Sequence, residues 1–459
     1  MKNYDTVDFT DSEIKTLTIF EKKDKIQHSA LDSFKKNNYK ALIAAATGTG
    51  KSRVAILRCE EIININPFAK IIIIVPTQKL RDTNWRDEFE KWNCLKIYEK
   101  NVITCCYVSA NKIENELFEL VVLDEAHNVT ENNSTFFNKN QCNTILGLTA
   151  TPPKKGESKN ILNILCPTTF VYTLDQGVKH GTVAPYEIII IYTQLDENQR
   201  YIDVELKDKR KFKVTEKERY EFLCEGIEQT RTKLAELNEK VKSFEISDFF
   251  ISQPDIVQDC LDMKKKEFEK SVSQYVNLNE DILLLLQDYK TNKGQLQFFE
   301  NKHKFKMLER MRFIYNLESK RKAVHYFLQN FISDDSKTII FCGSIKQADD
   351  LCGENVFHSN VKDTALNKFI KGEINYIGVV ESLNEGHNID DVDNEVVGQV
   401  NSNEKDIIQR IGRCIRFRED HIGSIFIFCC KDTQDKVWVE KSLKNLDQLR
   451  IAEINFDEL

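Results

Sequence analysis

The chain has 459 residues, 41% of them hydrophobic, which suffices for two or three compact domains each with its own core. A formal charge of −7 and an isoelectric point near 5.8 exclude a protein that coats nucleic acid through overall basicity, so any polyanion must be met by a local groove. Thirteen cysteines without a CxxC pair, including Cys105-Cys106 and Cys429-Cys430 in apolar runs, read as reduced core residues rather than a metal or disulfide framework. Residues 1–21 are mixed polar and acidic and lack a signal pattern, and apolar runs such as 71–75 are far too short to cross a bilayer. The expectation is a soluble intracellular protein, cytoplasmic or nucleoid-associated, with no membrane partner.

From the N-terminus, short β-rich runs recur between helix-like stretches at 41–46, 71–75, 102–107, 120–123, 144–149 and 168–172. That rhythm predicts a parallel sheet covered by helices. It returns at 338–342, 376–380, 395–400 and 424–429, which predicts a second α/β lobe. Between them the pattern changes: Pro254 is the only proline and Gly226 and Gly294 the only glycines between 201 and 330, and Leu234, Leu237 and Val241 form an apolar stripe at helical spacing. The expected organisation is a first lobe over 1–172, a connecting segment over 173–200, a largely helical insertion over 201–330 and a second lobe with a terminal helix over 331–459. Within 301–330, eight basic residues, Lys302, Lys304, Lys306, Arg310 and Arg312 among them, face two acids for a net charge of +6 with histidine neutral. Phe305, Phe313 and Tyr315 are interleaved. A solvated helix face and a phosphate-contacting face both produce such a run.

Ala45-Ala46-Thr47-Gly48-Thr49-Gly50-Lys51-Ser52 follows an apolar strand and precedes a helix-like stretch, the context in which small residues let backbone N–H groups wrap a phosphate. Lys51 then holds the outer phosphates of a nucleotide and Ser52 a Mg²⁺ ion. Next, Leu120-Val121-Val122-Leu123-Asp124-Glu125-Ala126-His127 places two carboxylates at the carboxyl edge of a parallel sheet, where ligands bind. Asp124 suits the metal and Glu125 the base that polarises attacking water. His127 reads as a link from these acids to neighbouring motifs.

At these residues the chain resembles superfamily 2 helicases of the DEAH-box type, which implies two RecA-like parallel-sheet lobes and use of ATP with Mg²⁺. In that resemblance, Gly147-Leu148-Thr149-Ala150-Thr151-Pro152 is the third motif, with Thr149 and Thr151 coupling hydrolysis to lobe movement. Val75-Pro76-Thr77-Gln78-Lys79-Leu80 with Trp85 resembles a segment that contacts the substrate backbone, through Thr77 and Gln78. Lys25-Ile26-Gln27-His28 resembles the adenine-reading segment, where Gln27 pairs with the base; the family more often has arginine at the position of Lys25. Gln409-Arg410-Ile411-Gly412-Arg413-Cys414-Ile415-Arg416 implies Arg413 and Arg416 as arginine fingers and Gln409 as a nucleotide sensor. Thr338 to Ser344 resembles the fourth motif, and the stretch from Glu381 to Asp390 the fifth, with Gly386 and Asp390 at the nucleotide.

Tyr172-Thr173-Leu174-Asp175-Gln176-Gly177-Val178-Lys179-His180-Gly181 followed by Pro185-Tyr186 looks like the first-lobe exit of XPB-type and UvsW-type translocases and of ResIII-type restriction motors. The resemblance implies an ATP-dependent helicase or translocase on duplex or branched DNA, with DNA favoured over RNA as partner. Three alternatives remain: the motor subunit of a restriction system, an RNA helicase, and an ATP-switched nucleic-acid sensor that does not translocate.

Overall fold

A computed structural model describes residues 4–205, 209–247, 251, 252, 258, 280–380, 389, 391–400, 407, 410, 411 and 421–459. The chain divides into two compact units, one formed by Met1–Gln194 with Lys320–Leu459 and the other by Leu195–Ser319.

The larger unit contains two sheets in which every pairing is parallel. The first has the strands β1 (Lys40–Ala45), β2 (Ile71–Val75), β3 (Val102–Cys106), β4 (Leu117–Asp124), β5 (Gln141–Thr149) and β6 (Thr168–Tyr172), in the order β3-β2-β4-β5-β1-β6. The run Ile71–Val75 is buried throughout because helices cover both faces of a parallel sheet. Alternation sends Ile71, Ile73 and Val75 to one apolar layer and Ile72 and Ile74 to the other; Leu120 and Val122 divide from Val121 and Leu123 in the same way. Each such residue contributes roughly 1.5–3 kcal/mol of burial. Parallel strands all end at one edge, so this sheet brings together the segments after residues 45, 75, 124 and 149.

The second sheet is built from β10 (Thr338–Phe341), β11 (Val356–Phe357), β12 (Tyr376–Val379), β13 (Asn394–Val397), β14 (Gly423–Cys430), β15 (Ile451–Asn455) and β7 (Tyr186–Thr193), in the order β11-β12-β10-β13-β14-β7-β15. The sequence pattern puts β7 in a connecting segment, yet it pairs along its whole length with β14, from Tyr186 opposite Gly423 to Thr193 opposite Cys430. Local pattern does not reveal this, because the two strands lie more than 200 residues apart. The C-terminal stretch read as a helix likewise contains β15, which follows the helix Gln434–Leu443 and occupies the sheet edge.

In the smaller unit the helices Glu216–Glu245 and Glu280–Tyr315 pack antiparallel as an arm. Arg219 pairs with Glu309 at 2.8 Å, the Thr230 hydroxyl meets His303 Nδ1 at 2.8 Å, and the Tyr289 hydroxyl donates to Glu245 at 2.9 Å. Leu223, Leu237, Val241, Leu286 and Tyr289 are buried. Both ends of the unit meet at the buried carboxylate of Glu216, which accepts from the Asp196 N–H at 3.0 Å, the Tyr201 hydroxyl at 2.5 Å and the Ser319 N–H at 3.1 Å. The insertion is not wholly helical: β8 (Ile202–Glu205) and β9 (Lys211–Val214) form an antiparallel hairpin. Charged residues alternating with apolar ones read as part of a helical insertion in sequence, whereas in the hairpin Asp203 opposes Lys213 and Glu205 opposes Lys211.

Among the described residues eleven cysteines are free thiols, and no group of three or more His, Cys, Asp or Glu is placed to hold a metal ion. Burial pushes the Cys105 and Cys166 thiols up to about 12, so they stay protonated and act as small apolar residues. No helix among the described residues is long and apolar enough to cross a membrane.

Candidate nucleotide-binding site

The loop after β1 is held open by two glycines at positive φ, Gly48 at +85° and Gly50 at +84°. At Gly50 the positive φ demands glycine, and a Cβ there would also press on the end of the Gln27 amide. Thr49 is buried and its hydroxyl donates back to the Ala46 carbonyl at 2.7 Å, which closes the loop on itself. Thr47, Lys51 and Ser52 remain partly exposed, and Lys51 opens the helix Lys51–Ile65. The combination is a concave run of backbone N–H groups ending at a helix N-terminus, an arrangement suited to phosphate.

Gln27 donates its amide N–H to the Thr49 carbonyl at 3.0 Å, which fastens its helix, Ile19–Lys36, to the phosphate loop. Lys25, where the family more often has arginine, pairs with Glu13 at 2.6 Å, donates to the Asp8 carbonyl at 3.3 Å and lies over the Phe9 ring. It ties down the N-terminal segment.

Across the sheet edge, Asp124 and Ser52 line one cavity of about 220 Å³ together with Leu80, Asn84, Trp85, Asp87 and Glu88. Asp124 accepts from the indole N–H of Trp85 at 3.0 Å, while its carbonyl accepts from the Tyr107 hydroxyl at 3.0 Å. Burial and, next, the adjacent Glu125 carboxylate push the Asp124 acid up to about 7, against the pull of the Trp85 N–H and Lys51. In the sequence Trp85 stands only within a segment that resembles a substrate contact; it directly follows a π-helical turn, Leu80–Asn84, and its indole reaches Asp124.

Glu125 follows at φ +46°, a left-handed conformation that non-glycine residues seldom adopt and that turns its side chain away from the strand direction. His127 Nδ1 lies 2.9 Å from the Thr149 hydroxyl and 3.4 Å from Glu125 Oε2, and its hydrogen bond goes to the hydroxyl. Thr149 is fully buried and its oxygen also receives the Thr151 N–H at 3.1 Å, whereas the Thr151 hydroxyl is buried with no hydrogen-bond partner among the described residues. Thus His127, Thr149 and the Thr151 N–H form a hydrogen-bonded chain with Glu125 Oε2 3.4 Å from its histidine end, brought together because β4 and β5 are neighbours.

Thr77 caps the turn after β2, accepting from the Leu80 N–H at 3.4 Å, and Gln78 is exposed beside it. The basic run of the arm is divided by its helix. Lys302, Lys304 and Arg312 are exposed, while Lys306 pairs with Glu309 at 2.8 Å and packs near Gly226 of the facing helix. Lys320 leaves the surface altogether: it is 0% exposed and binds Asp435 at 2.7 Å and the Gln399 side chain at 2.6 Å.

Arg410 is also buried, donating to the Gln399 carbonyl at 2.9 Å with its guanidinium over Phe341, so Arg410 is anchored in the second lobe through Gln399, whose side chain binds Lys320 and Asp435. Gln409, Arg413 and Arg416, and likewise Gly386 and Asp390, lie outside the described residues.

Two family models match the chain: "Type III restriction enzyme, res subunit" over residues 17–154 and "Helicase conserved C-terminal domain" over residues 319–418, together slightly more than half of its length. Compared with curated protein sequences, the chain finds no match. Among solved structures, the helicase domain of Pyrococcus furiosus Hef aligns at 17% identity and a TM-score of 0.43, covering 94% of this chain and 98% of that one. The ATP-dependent Type ISP restriction-modification enzyme LlaBIII bound to DNA aligns at 12% identity and a TM-score of 0.50, covering 96% of this chain. This chain spans 31% of that enzyme, and the likeness concerns the fold. With two parallel sheets in one unit, a phosphate loop joined to its Asp-Glu strand, and family models on both lobes, the chain is a superfamily 2 helicase of the ResIII branch.

Proposed function

We propose that the protein is an ATP-dependent motor that translocates on or remodels duplex or branched DNA. The observation that supports this reading is the hydrogen-bonded chain from His127 to Thr149 and the Thr151 N–H, which begins 3.4 Å from Glu125 Oε2 and so sets the proposed position of water activation beside a motif outside the phosphate pocket. A site that only bound nucleotide has no need of such a path.

The residues fit ATP with a divalent metal. Lys51 and the backbone of 46–50 would hold the phosphates, and Ser52 and Asp124, which share a cavity, would hold Mg²⁺. That ion supplies positive charge to the terminal phosphates when bound. Glu125 accepts a proton from the attacking water, and Arg413 and Arg416 meet charge developing on the outer phosphate, with Gln409, Gly386 and Asp390 as further nucleotide contacts. His127 and Thr149 report the event to Thr151, and the lobes alternate their grip through Thr77 and Gln78. Contacts to phosphates make the grip nearly indifferent to base identity.

The test is triplex displacement run beside strand-unwinding and annealing assays on matched duplex, forked, single-stranded and RNA substrates. ATPase activity unmoved by every nucleic acid would defeat the motor reading. A second reading, the motor subunit of a restriction system, is favoured by the description of the model that matches 17–154. Dependence of activity on a separate nuclease and specificity subunit would establish it.

A further inference from the structure

The solvent side of the helix Glu280–Tyr315 carries large apolar side chains that the arm does not use. Phe298 and Phe305 are each 61% exposed and Leu308 is 45% exposed. In the antiparallel pair the positions that face the partner helix are filled by others: His303 against Thr230, Lys306 near Gly226, and Arg310 with its guanidinium 3.8 Å from the Cys224 sulfur. Apart from an edge contact of Phe298 with the neighbouring Phe299 ring at 5.4 Å, the two phenylalanines leave most of their surface to solvent, and that exposure asks for a ligand.

Seven residues of helix set Phe298 and Phe305 about 10 Å apart along the axis, with Lys302 one turn from each. Lys304 and Arg312 are exposed along the same stretch, and the only exposed acid from 298 to 312 is Glu300. Lysines placed between the aromatics, rather than around them, are the wrong composition for a dry protein interface, whose core is depleted of lysine. Stacked bases rise about 3.4 Å per nucleotide, so two rings about 10 Å apart match sites roughly three nucleotides apart on one strand. Resting on the DNA-motor reading, we infer that this face of the arm grips single-stranded DNA, with Phe298 and Phe305 stacking on bases while Lys302, Lys304 and Arg312 meet phosphates. In a duplex the base faces are already stacked and offer nothing to the rings, so the grip selects displaced strand over duplex.

The full chain is compared with F298A/F305A and with K302Q/K304Q/R312Q by anisotropy on labelled oligo-dT, oligo-rU and duplex, over a range of salt. Circular dichroism confirms that each variant retains its helices. The aromatic variant is expected to bind oligo-dT about tenfold or more weaker with the salt dependence unchanged. The basic variant is expected to flatten the slope of log affinity against log salt by about 2. Parental binding by both variants overturns the inference, as does an equal loss on duplex or a loss confined to oligo-rU. A change in sedimentation without a change in DNA binding assigns the face to a second copy of the chain and also overturns it. Failure of the motor reading shows differently, as an ATPase that no nucleic acid stimulates in the parent protein.

Discussion

The indole nitrogen of Trp85 donates to Asp124 Oδ2 at 3.0 Å, which ties the segment after β2 to the acid at the end of β4. Trp85 is buried, so this bond is shielded from water and fixes one carboxylate oxygen, while the other accepts from the Glu125 N–H at 3.0 Å at the edge of the cavity shared with Ser52. Trp85→Phe keeps the ring and removes the donor. A hydrogen bond to a charged group is worth about 1.5–3 kcal/mol, so half-saturation by Mg²⁺ in the ATPase assay should rise at least about tenfold, with smaller change in the apparent affinity for nucleotide in the presence of excess metal. A Mg²⁺ titration of the variant checks this, and an unchanged curve removes Trp85 from the positioning of Asp124.

Lys51→Ala and Glu125→Gln separate binding from turnover. The first should weaken nucleotide binding measured with a fluorescent analogue. The second should leave binding near the parental value and lower kcat by about 10²-fold or more, since it preserves size and removes the base. Normal hydrolysis by Glu125→Gln would exclude that residue as the base.

Thr149→Val tests the relay from His127 to Thr151. It deletes the oxygen that His127 Nδ1 and the Thr151 N–H share, so two part-buried polar groups lose that partner, at a cost of up to about 1–3 kcal/mol each. The midpoint of chemical denaturation should fall. In single-turnover measurements, the ratio of strand displacement to ATP hydrolysed should fall further than hydrolysis itself; a constant ratio would show that the relay does not couple.

Lys320→Met leaves Asp435 charged and buried without its cation, with an expected loss of about 3–5 kcal/mol in stability. The double change Lys320→Met with Asp435→Leu removes both charges and should recover much of that loss. Denaturant unfolding of the three proteins checks the cycle. Equal stability of the single and double variants contradicts a charge-pairing role.

The sequence carried the first lobe almost completely. Ile71–Val75 matches its sequence-based bounds because a strand buried on both faces must be continuously apolar and is cut off sharply by polar turns, and the half-buried edge strand Thr168–Tyr172 matches its bounds as well. The phosphate loop and Asp124-Glu125 were equally legible, since backbone wrapping and a carboxylate at a sheet edge each demand a fixed local residue order. The hairpin Ile202–Glu205 with Lys211–Val214 was not, because charged residues alternating with apolar ones suit a solvated helix and a hairpin face alike.

What local order cannot encode is which distant groups meet. Only the packed structure decides that Lys306 turns inward while Lys302 and Lys304 stay exposed, and that Lys320 leaves a basic run to neutralise Asp435. It also decides that β7 joins the second sheet and that Trp85 reaches Asp124, 39 residues away. By itself the sequence determined the residue order of the phosphate-type loop and the Asp-Glu strand end on which the proposed nucleotide site rests, because each is written in a contiguous motif. The tertiary structure decided how that chemistry is held and which charges remain available to a ligand, because burial and pairing depend on neighbours that the chain supplies from far along its length.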